Sequence, residues 1–206
     1  MYGKSDVASE LVKGLSAAGL DLVEVVGEVD DLLPALVARY VTQLFPEDGR
    51  QDVLLRHGTP HLTARLNEEW ERTAVASGLF GDGRSGERTF LVGIEMKAGT
   101  ADEEDIPAYR WARVTLSEGW DIAGAGCASG VLGTGRNNPT FAMASVRGDV
   151  LMVAGYWQVG VGFAVISQPE HVSRLRDHAR RIAAFPHVEP ATREWADRWL
   201  TAHPQN

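Results

Sequence analysis

Apolar and polar positions alternate through residues 89–167 in short runs, which is the pattern of β-strands. In residues 89–97, the side chains on one face are Phe90, Val92, Ile94 and Met96. Further strands are predicted at 109–116, 140–146, 150–157 and 159–167. A turn at Arg147-Gly148-Asp149 joins two of them as a hairpin. The pattern therefore predicts an antiparallel sheet of about four to six strands.

The last of these strands, residues 159–167, has two faces of different size. The bulky face consists of Val159, Val161, Phe163 and Val165, and the small face of Gly160, Gly162, Ala164 and Ile166. We expect the bulky face to pack on helices. The small face allows another backbone or a ligand to come close.

Apolar positions before residue 80 and after residue 167 recur with helical spacing. One helix is predicted at 59–77, with Thr59 as its N-cap and Pro60 at its first position. Other helices are predicted at 6–18, 31–45 and 170–185, and from residue 190 onward. Residues 20–26 fit either a strand or an extended connector, and 52–56 are interpreted as a turn of helix.

This order of elements predicts an α+β fold in a single domain spanning residues 1–206. Residues 1–80 form a helical N-terminal half, 88–167 the antiparallel sheet, and 168–203 the C-terminal helices that pack on it. We expect the N-terminal and C-terminal helices to cover one face of the sheet. The other face is then left for solvent, a partner or a ligand cleft.

Composition and charge narrow the range of partners. The chain has 206 residues, 44% of them hydrophobic, and a net charge of −8, which argues against a nucleic-acid backbone or an anionic membrane surface as the main partner. The N-terminus lacks the pattern of a signal peptide, so a cytoplasmic location is predicted. With a single cysteine, Cys127, the chain forms no internal disulfide and no cysteine-based zinc site.

The glycine-rich segment 122–138 is the first candidate site. Its spacing of Gly124, Gly126 and Gly130 superficially resembles a dinucleotide-binding loop. That motif requires a strand before it and a helix directly after it, and glycines recur where the helix would be, so we reject this interpretation. An irregular loop that binds an anion through backbone N–H groups remains, with side chains from Arg136, Asn137 and Asn138. The alternative is a structural loop whose glycines only form turns.

Catalytic and metal-binding candidates are weak. Cys127 would need a base beside it to act as a nucleophile, and His57 and His61 are the candidates closest to a recognisable pattern. The two histidines lack a third ligand at metal-binding spacing, so no metal site is predicted. The acidic run at 102–105 lacks the spacing of a calcium loop and is interpreted as a connector.

Aromatic side chains in the β half, among them Trp120 and Trp157, could line a ligand groove or pack in the core. No motif identifies a family, and no cofactor is predicted. The favoured function is a non-enzymatic module that binds a protein partner or a small molecule through the sheet face and the glycine loop. The alternatives are an enzyme with its site between that loop and the helix at Thr59, and a homodimer formed through a sheet edge or face.

Overall fold

The computed structural model describes residues 4–81, 87–96 and 106–205. The α-helices are Lys4–Ala17 (α1), Ala35–Ala38 (α2), Leu62–Ser77 (α3), Ser173–Ala184 (α4) and Pro190–Ala202 (α5). The strands are Leu20–Val26 (β1), Gln51–Arg56 (β2), Thr89–Met96 (β3), Ala108–Leu116 (β4), Ala142–Ala144 (β5), Val150–Trp157 (β6) and Gly160–Ser167 (β7). They form one antiparallel sheet in the order β1-β4-β3-β5-β6-β7-β2. The predicted α+β fold is confirmed, with seven strands instead of four to six.

The two additional strands come from the N-terminal part of the chain and form the two edges of the sheet. Residues 20–26 are strand β1, which pairs with β4. Residues 52–56 belong to strand β2, so the prediction of a helical turn there was wrong. The reason lies in β7, because β2 pairs along its whole length with the glycine-containing strand. A Cβ atom at Gly162 would lie 1.8 Å from the carbonyl oxygen of Val53, so only glycine permits this close approach.

Helices cover both faces of the sheet, which differs from the one-sided arrangement that the sequence led us to expect. On one face α1, α3 and the glycine loop pack on residues such as Phe90 and Val92. On the other face α2, α4 and α5 pack on the alternate residues, such as Leu91. The physical reason is that successive residues of β3, β6 and β7 are buried whichever way they point. The small face of β7 is therefore covered in large part by the protein itself.

Two predicted helix starts are displaced along the chain. Thr59 is not the N-cap of α3, because its hydroxyl donates to the carbonyl of Arg56 at 2.7 Å and closes the turn after β2. Helix α3 begins at Leu62 instead, after His61 in the left-handed conformation with φ of 54°. The helix predicted at 31–45 begins later and is shorter: α2 starts at Ala35 and is followed by a 3₁₀ helix at Arg39–Gln43.

The sheet divides at β5, which is only three residues long. In the described part of the chain, β3 pairs with β5 only at Leu91–Ala144 and Val92–Met143, although β3 pairs with β4 along its full length. Beyond Val92, the two halves of the sheet separate and leave a fork. Within the described ranges, no helix is long and apolar enough to cross a lipid bilayer.

Candidate functional site

The glycine loop is organised around the carboxylate of Asp121. Its first turn, Ile122–Gly126, is a π-helix that Asp121 caps. One carboxylate oxygen, Oδ1, accepts a hydrogen bond from the backbone N–H of Gly124 at 2.9 Å, and Oδ2 accepts one from Ala125 at 2.8 Å. The side-chain amide of Asn67 on α3 donates to Oδ1 at 2.7 Å. These N–H groups thus hold an anion, as a glycine loop can, but that anion is the chain's own carboxylate.

The environment of Asp121 stabilises its charged form. Burial alone would raise the pKa of this carboxyl group, but the hydrogen bonds from Asn67, Ala125 and Gly124 and the positive charge of Arg136 outweigh burial and lower it. The close contact also explains the glycine at position 124, because a Cβ atom there would lie 2.2 Å from Oδ2 of Asp121. Arg136 itself is exposed, so its contribution is a screened attraction.

Of the two asparagines predicted as anion ligands, Asn137 connects the loop to α3 and Asn138 forms a hydrogen bond within the loop. Asn137 has a positive φ of 62°, and its side-chain carbonyl accepts a hydrogen bond from the hydroxyl of Thr63 on α3 at 2.7 Å. The side-chain amide of Asn138 donates to the hydroxyl of Thr134 at 2.5 Å. Hydrogen bonds from Thr63 and Asn67 of α3 thus link that helix to the glycine loop.

The three catalytic candidates lie in different environments. Cys127 is fully buried, and its thiol donates to the carbonyl of Ile122 at 3.2 Å. Burial, with a smaller contribution from Asp121, raises the pKa of this thiol to about 12, so it is not a thiolate at neutral pH. His57 is exposed and its Nε2 lies 2.9 Å from the carbonyl oxygen of Trp157. His61 is exposed too, so the structure does not bring a buried nucleophile and a base together.

Metal ligands are likewise dispersed. Among residues 4–81, 87–96 and 106–205, no group of three or more His, Cys, Asp or Glu side chains is placed to hold a metal ion. The acidic run at 102–105 lies outside the described residues.

The two tryptophans proposed for a groove have different roles. Trp120 packs in the core against Trp70, with ring centroids 5.0 Å apart. The ring of Trp157 lies across Gly155 of the same strand, where a Cβ atom would approach it to 2.8 Å. Trp157 lines two surface cavities, one of them next to the fork. Trp157 is therefore placed to meet a ligand at this surface.

A cavity of about 360 Å³ opens at the fork, and we call it the fork cavity. It lies between the part of β3 that β5 does not reach, the middle of α1 and the glycine loop. Its lining includes Leu11, Arg39, Gly93, Ile94, Glu95, Tyr109, Ser129, Gly130, Val131, Thr134 and Thr140. The volume lies within the range of small-molecule sites, and the lining mixes apolar walls with a few polar groups. The glycine loop thus forms one wall of a cavity, although its N–H groups are largely bonded within the chain.

Arg39 is the central charged group of this cavity. Its Nη1 donates to the carbonyl of Thr140 at 3.1 Å, and its guanidinium carbon lies 4.9 Å from the ring centre of Tyr109. On the other side of Arg39 and Thr140 is a second cavity, of about 270 Å³, that Trp157 also lines. Arg39 therefore stands where the two cavities meet, in the gap left by the short strand β5.

Tyr109 joins Arg39 to the rim of the fork cavity. Its hydroxyl donates to Oε2 of Glu95 at 3.2 Å. Burial raises the pKa of this hydroxyl, Arg39 acts in the opposite direction, and Glu95 adds to the rise. The hydroxyl is therefore protonated at neutral pH, its one O–H is directed to Glu95, and its oxygen still has a lone pair that can accept a hydrogen bond.

The sequence did not single out Arg39 or Tyr109. Arg39 lies in a segment that the pattern assigned to an amphipathic helix, where an arginine is expected on the solvent side. The one local signal was Gly93, a glycine within an otherwise bulky strand, which marks a place where the backbone is approached closely. Its Cβ position would lie 3.4 Å from the carbonyl oxygen of Ala142, at the point where the fork opens.

A larger cavity, of about 430 Å³, lies between α5 and the turn before β6. Both arginines in its lining are paired: Arg147 with Asp149 at 2.9 Å, and Arg113 with Glu24 at 2.9 Å. Both charge signs occur among its lining residues, so it shows no preference for one ligand charge. The fork cavity is the better candidate because a half-buried arginine and a protonated tyrosine converge there.

Comparison of this chain with models of protein families, with curated proteins and with solved structures found no match.

Proposed function

We propose that this protein is a non-enzymatic binding module whose ligand is a small polar molecule with a carboxylate group. The ligand occupies the fork cavity, and its carboxylate pairs with Arg39. The observation that supports the proposal is the position of the guanidinium in the gap of the sheet, held by Thr140 and stacked on Tyr109. A guanidinium carries five N–H donors in a planar fork that matches the geometry of a carboxylate.

The surrounding charges favour a ligand with a single negative charge. Glu10 and Glu95 line the cavity together with Arg39, and the whole chain carries a net charge of −8. Both disfavour a polyanion such as a nucleotide, because it would meet repulsion that one arginine does not offset. Ser129, Thr134 and the hydroxyl of Tyr109 add hydrogen-bonding groups for the uncharged part of the ligand.

Binding can be tested by calorimetry and thermal shift with a panel of small monocarboxylates, their neutral amides and phosphate monoesters. We expect one or more carboxylates to bind and raise the melting temperature, while the matched amide binds more weakly. In the variant Arg39→Gln the loss of a charged hydrogen-bonding partner is expected to weaken binding by roughly 10- to 100-fold. Arg39→Lys keeps the charge and loses the planar fork, so an intermediate affinity is expected.

Two further variants make this experiment specific. Tyr109→Phe removes only a hydroxyl from the cavity and is expected to weaken binding by roughly threefold to tenfold. Arg180→Gln removes an exposed arginine that pairs with Asp177 on α4, and it serves as the matched control with unchanged affinity. If Arg39→Gln and Arg180→Gln, both folded, bind the same carboxylate as well as the unmodified protein, the fork cavity is not the site.

A further inference from the structure

We propose that strand β2 is a self-association surface, on which a second copy of this chain extends the sheet by antiparallel pairing centred on Leu54. This inference does not depend on the ligand of the fork cavity. It rests on the edge position of β2, on the direction of its backbone groups and on the charge pattern of its sequence.

β2 is an open edge, whereas the opposite edge is protected. β2 pairs with β7 through six consecutive residue pairs, from Gln51–Val165 to Arg56–Gly160, so it is regular. β1 carries a bulge between Leu22 and Glu24, and it exposes the acidic residues Asp21 and Glu24 as well as Val23 and Val25. A bulge is one of the usual means by which a natural edge avoids pairing with another chain, so β1 and β2 differ in regularity. β2 lacks the bulge and exposes Leu54, a residue that is 44% accessible.

The backbone of β2 shows which groups face outward. His57 directly follows β2, Val159 directly precedes β7, and the N–H of His57 donates to the carbonyl of Val159. Because alternate residues of an antiparallel strand bond to the same neighbour, the odd-numbered residues of β2 direct their backbone groups toward β7. The carbonyls of Val53 and Leu55 also point toward β7, because they lie against the Cβ positions of the β7 glycines. Residues of even number, Asp52 and Leu54, therefore direct their N–H and carbonyl groups away from the sheet, where a further strand would bond to them.

The sequence around Leu54 is complementary to itself. In antiparallel pairing about Leu54, Leu54 faces Leu54 of the second copy, and Asp52 faces Arg56 of the second copy on each side of the axis. Asp52 and Arg56 are exposed, so both are available for these pairs. Asp52 also pairs with Arg50 of its own chain at 2.8 Å, and its carboxylate has two oxygens that serve both partners.

Neighbouring registers are less favourable. Pairing centred on Val53 would place Arg50 opposite Arg56 of the second copy, and pairing centred on Leu55 would place Leu54 opposite Arg56. Opposite charges in facing positions stabilise a strand pair, and like charges destabilise it. An apolar groove of about 170 Å³, lined by Leu54, Trp157 and Val159, continues the contact surface beside the edge.

Analytical ultracentrifugation of the full chain, over about 1 to 200 µM, tests the proposal by mass action. We expect a concentration-dependent dimer in the unmodified protein. Leu54→Asp places two carboxylates at the axis, and it is expected to raise the dimer dissociation constant by tenfold or more. The control Asp197→Arg changes an exposed charge on α5, over the opposite end of the sheet, and is expected to leave the dimer unchanged.

A mixing experiment distinguishes this register from any other interface. In this register, position 52 of one copy faces position 56 of the other on each side of the axis. With Asp52→Arg alone, two arginines face each other in both of these pairs. With Arg56→Asp alone, two aspartates face each other there. Each variant is therefore expected to be monomeric at concentrations where the unmodified protein dimerises. Mixed together, the two variants restore opposite charges at both pairs, and a heterodimer is expected by native mass spectrometry. A chain that stays monomeric throughout, a dimer that Leu54→Asp leaves intact, or a mixture that fails to pair would each overturn the proposal.

Discussion

Replacing Asp121 is expected to loosen the glycine loop, and the size of the effect can be derived from the contacts of its carboxylate. In Asp121→Ala, the N–H groups of Gly124 and Ala125 and the side-chain amide of Asn67 all lose their acceptor. A hydrogen bond to a charged group contributes roughly 1.5 to 3 kcal/mol. Asp121 is only half-buried, so water replaces part of what is lost, and we expect a net loss of about 2 to 4 kcal/mol.

Asp121→Asn removes the negative charge but keeps the shape of the side chain. The asparagine keeps one acceptor oxygen but presents an amide NH₂ where Oδ2 accepts from Ala125. A loss of about 1 to 2 kcal/mol is expected, smaller than for alanine. For a chain of this length each kcal/mol shifts the melting temperature by roughly 2 to 4 °C, so the alanine variant should melt about 4 to 16 °C lower.

The pH dependence supplies a second, independent measurement. Because the folded-state pKa of Asp121 is lowered, its contribution is fully present above the unfolded pKa and is lost as the pH falls through the folded pKa. The difference in unfolding free energy between the unmodified protein and Asp121→Asn should be constant from pH 7 to about 5. It should shrink below about pH 4, where the carboxyl group becomes protonated.

Urea unfolding followed by circular dichroism at several pH values measures both quantities. Asp197→Ala removes an exposed carboxylate from α5 and is the control, with an expected change within about 0.5 kcal/mol. If Asp121→Ala costs no more than this control, or if its cost is the same at pH 7 and pH 3, the carboxylate does not organise the loop.

Two further predictions concern a glycine and the cysteine. Gly162→Ala would bring a Cβ atom to 1.8 Å from the Val53 carbonyl oxygen, so we expect a loss of at least about 2 kcal/mol in urea unfolding. Gly27→Ala, where no atom lies within 4 Å, should change stability by less than about 0.5 kcal/mol; equal effects of the two would contradict the account of β2. Cys127 should react with a thiol reagent at pH 8 roughly a thousandfold more slowly in the native protein than in urea, because burial raises the pKa of its thiol to about 12. Rapid labelling of the native protein would show that the thiol is accessible.

The central strands were predictable because their signal is local. In β3 the alternation of Phe90, Val92 and Ile94 indicated the face that packs on α1 and α3. The same strand also buries Leu91 on its other face, and β6 and β7 are apolar at nearly every position. Runs that are apolar on both faces indicate a sheet covered on both sides, so the sequence contained a signal for helices on both faces. We expected one-sided cover because antiparallel sheets commonly leave one face to solvent.

The edge strands were not predictable from their own residues. The sequence QDVLLR of β2 is short and amphipathic in either conformation, so periodicity cannot decide between helix and strand. The deciding contacts are made with β7, more than a hundred residues away along the chain. The prediction that Thr59 caps a helix failed for a related reason. Its hydroxyl donates to the carbonyl of Arg56 in a turn that exists only if β2 is a strand.

The candidate site shows the same division between local and long-range information. The glycine loop suggested an anion site because closely spaced glycines leave backbone N–H groups free to converge. That these groups converge on Asp121 depends on the π-helical turn and on Asn67 of α3. Arg39 acquires its position from the short strand β5, and no local pattern indicates where a strand will leave its sheet.

The small face of β7 shows how one sequence feature determines both the edge of this sheet and its exposed surface. Gly160 and Gly162 let the carbonyls of Leu55 and Val53 come so close that β2 lies tightly on β7 through its full length. A strand held in this way keeps a regular register and presents its outward backbone groups in a straight row. The space beside these glycines, which first suggested room for a ligand, is thus occupied by the protein's own backbone. Their consequence for an outside molecule is indirect: they produce the flat edge on which we propose that a second copy pairs.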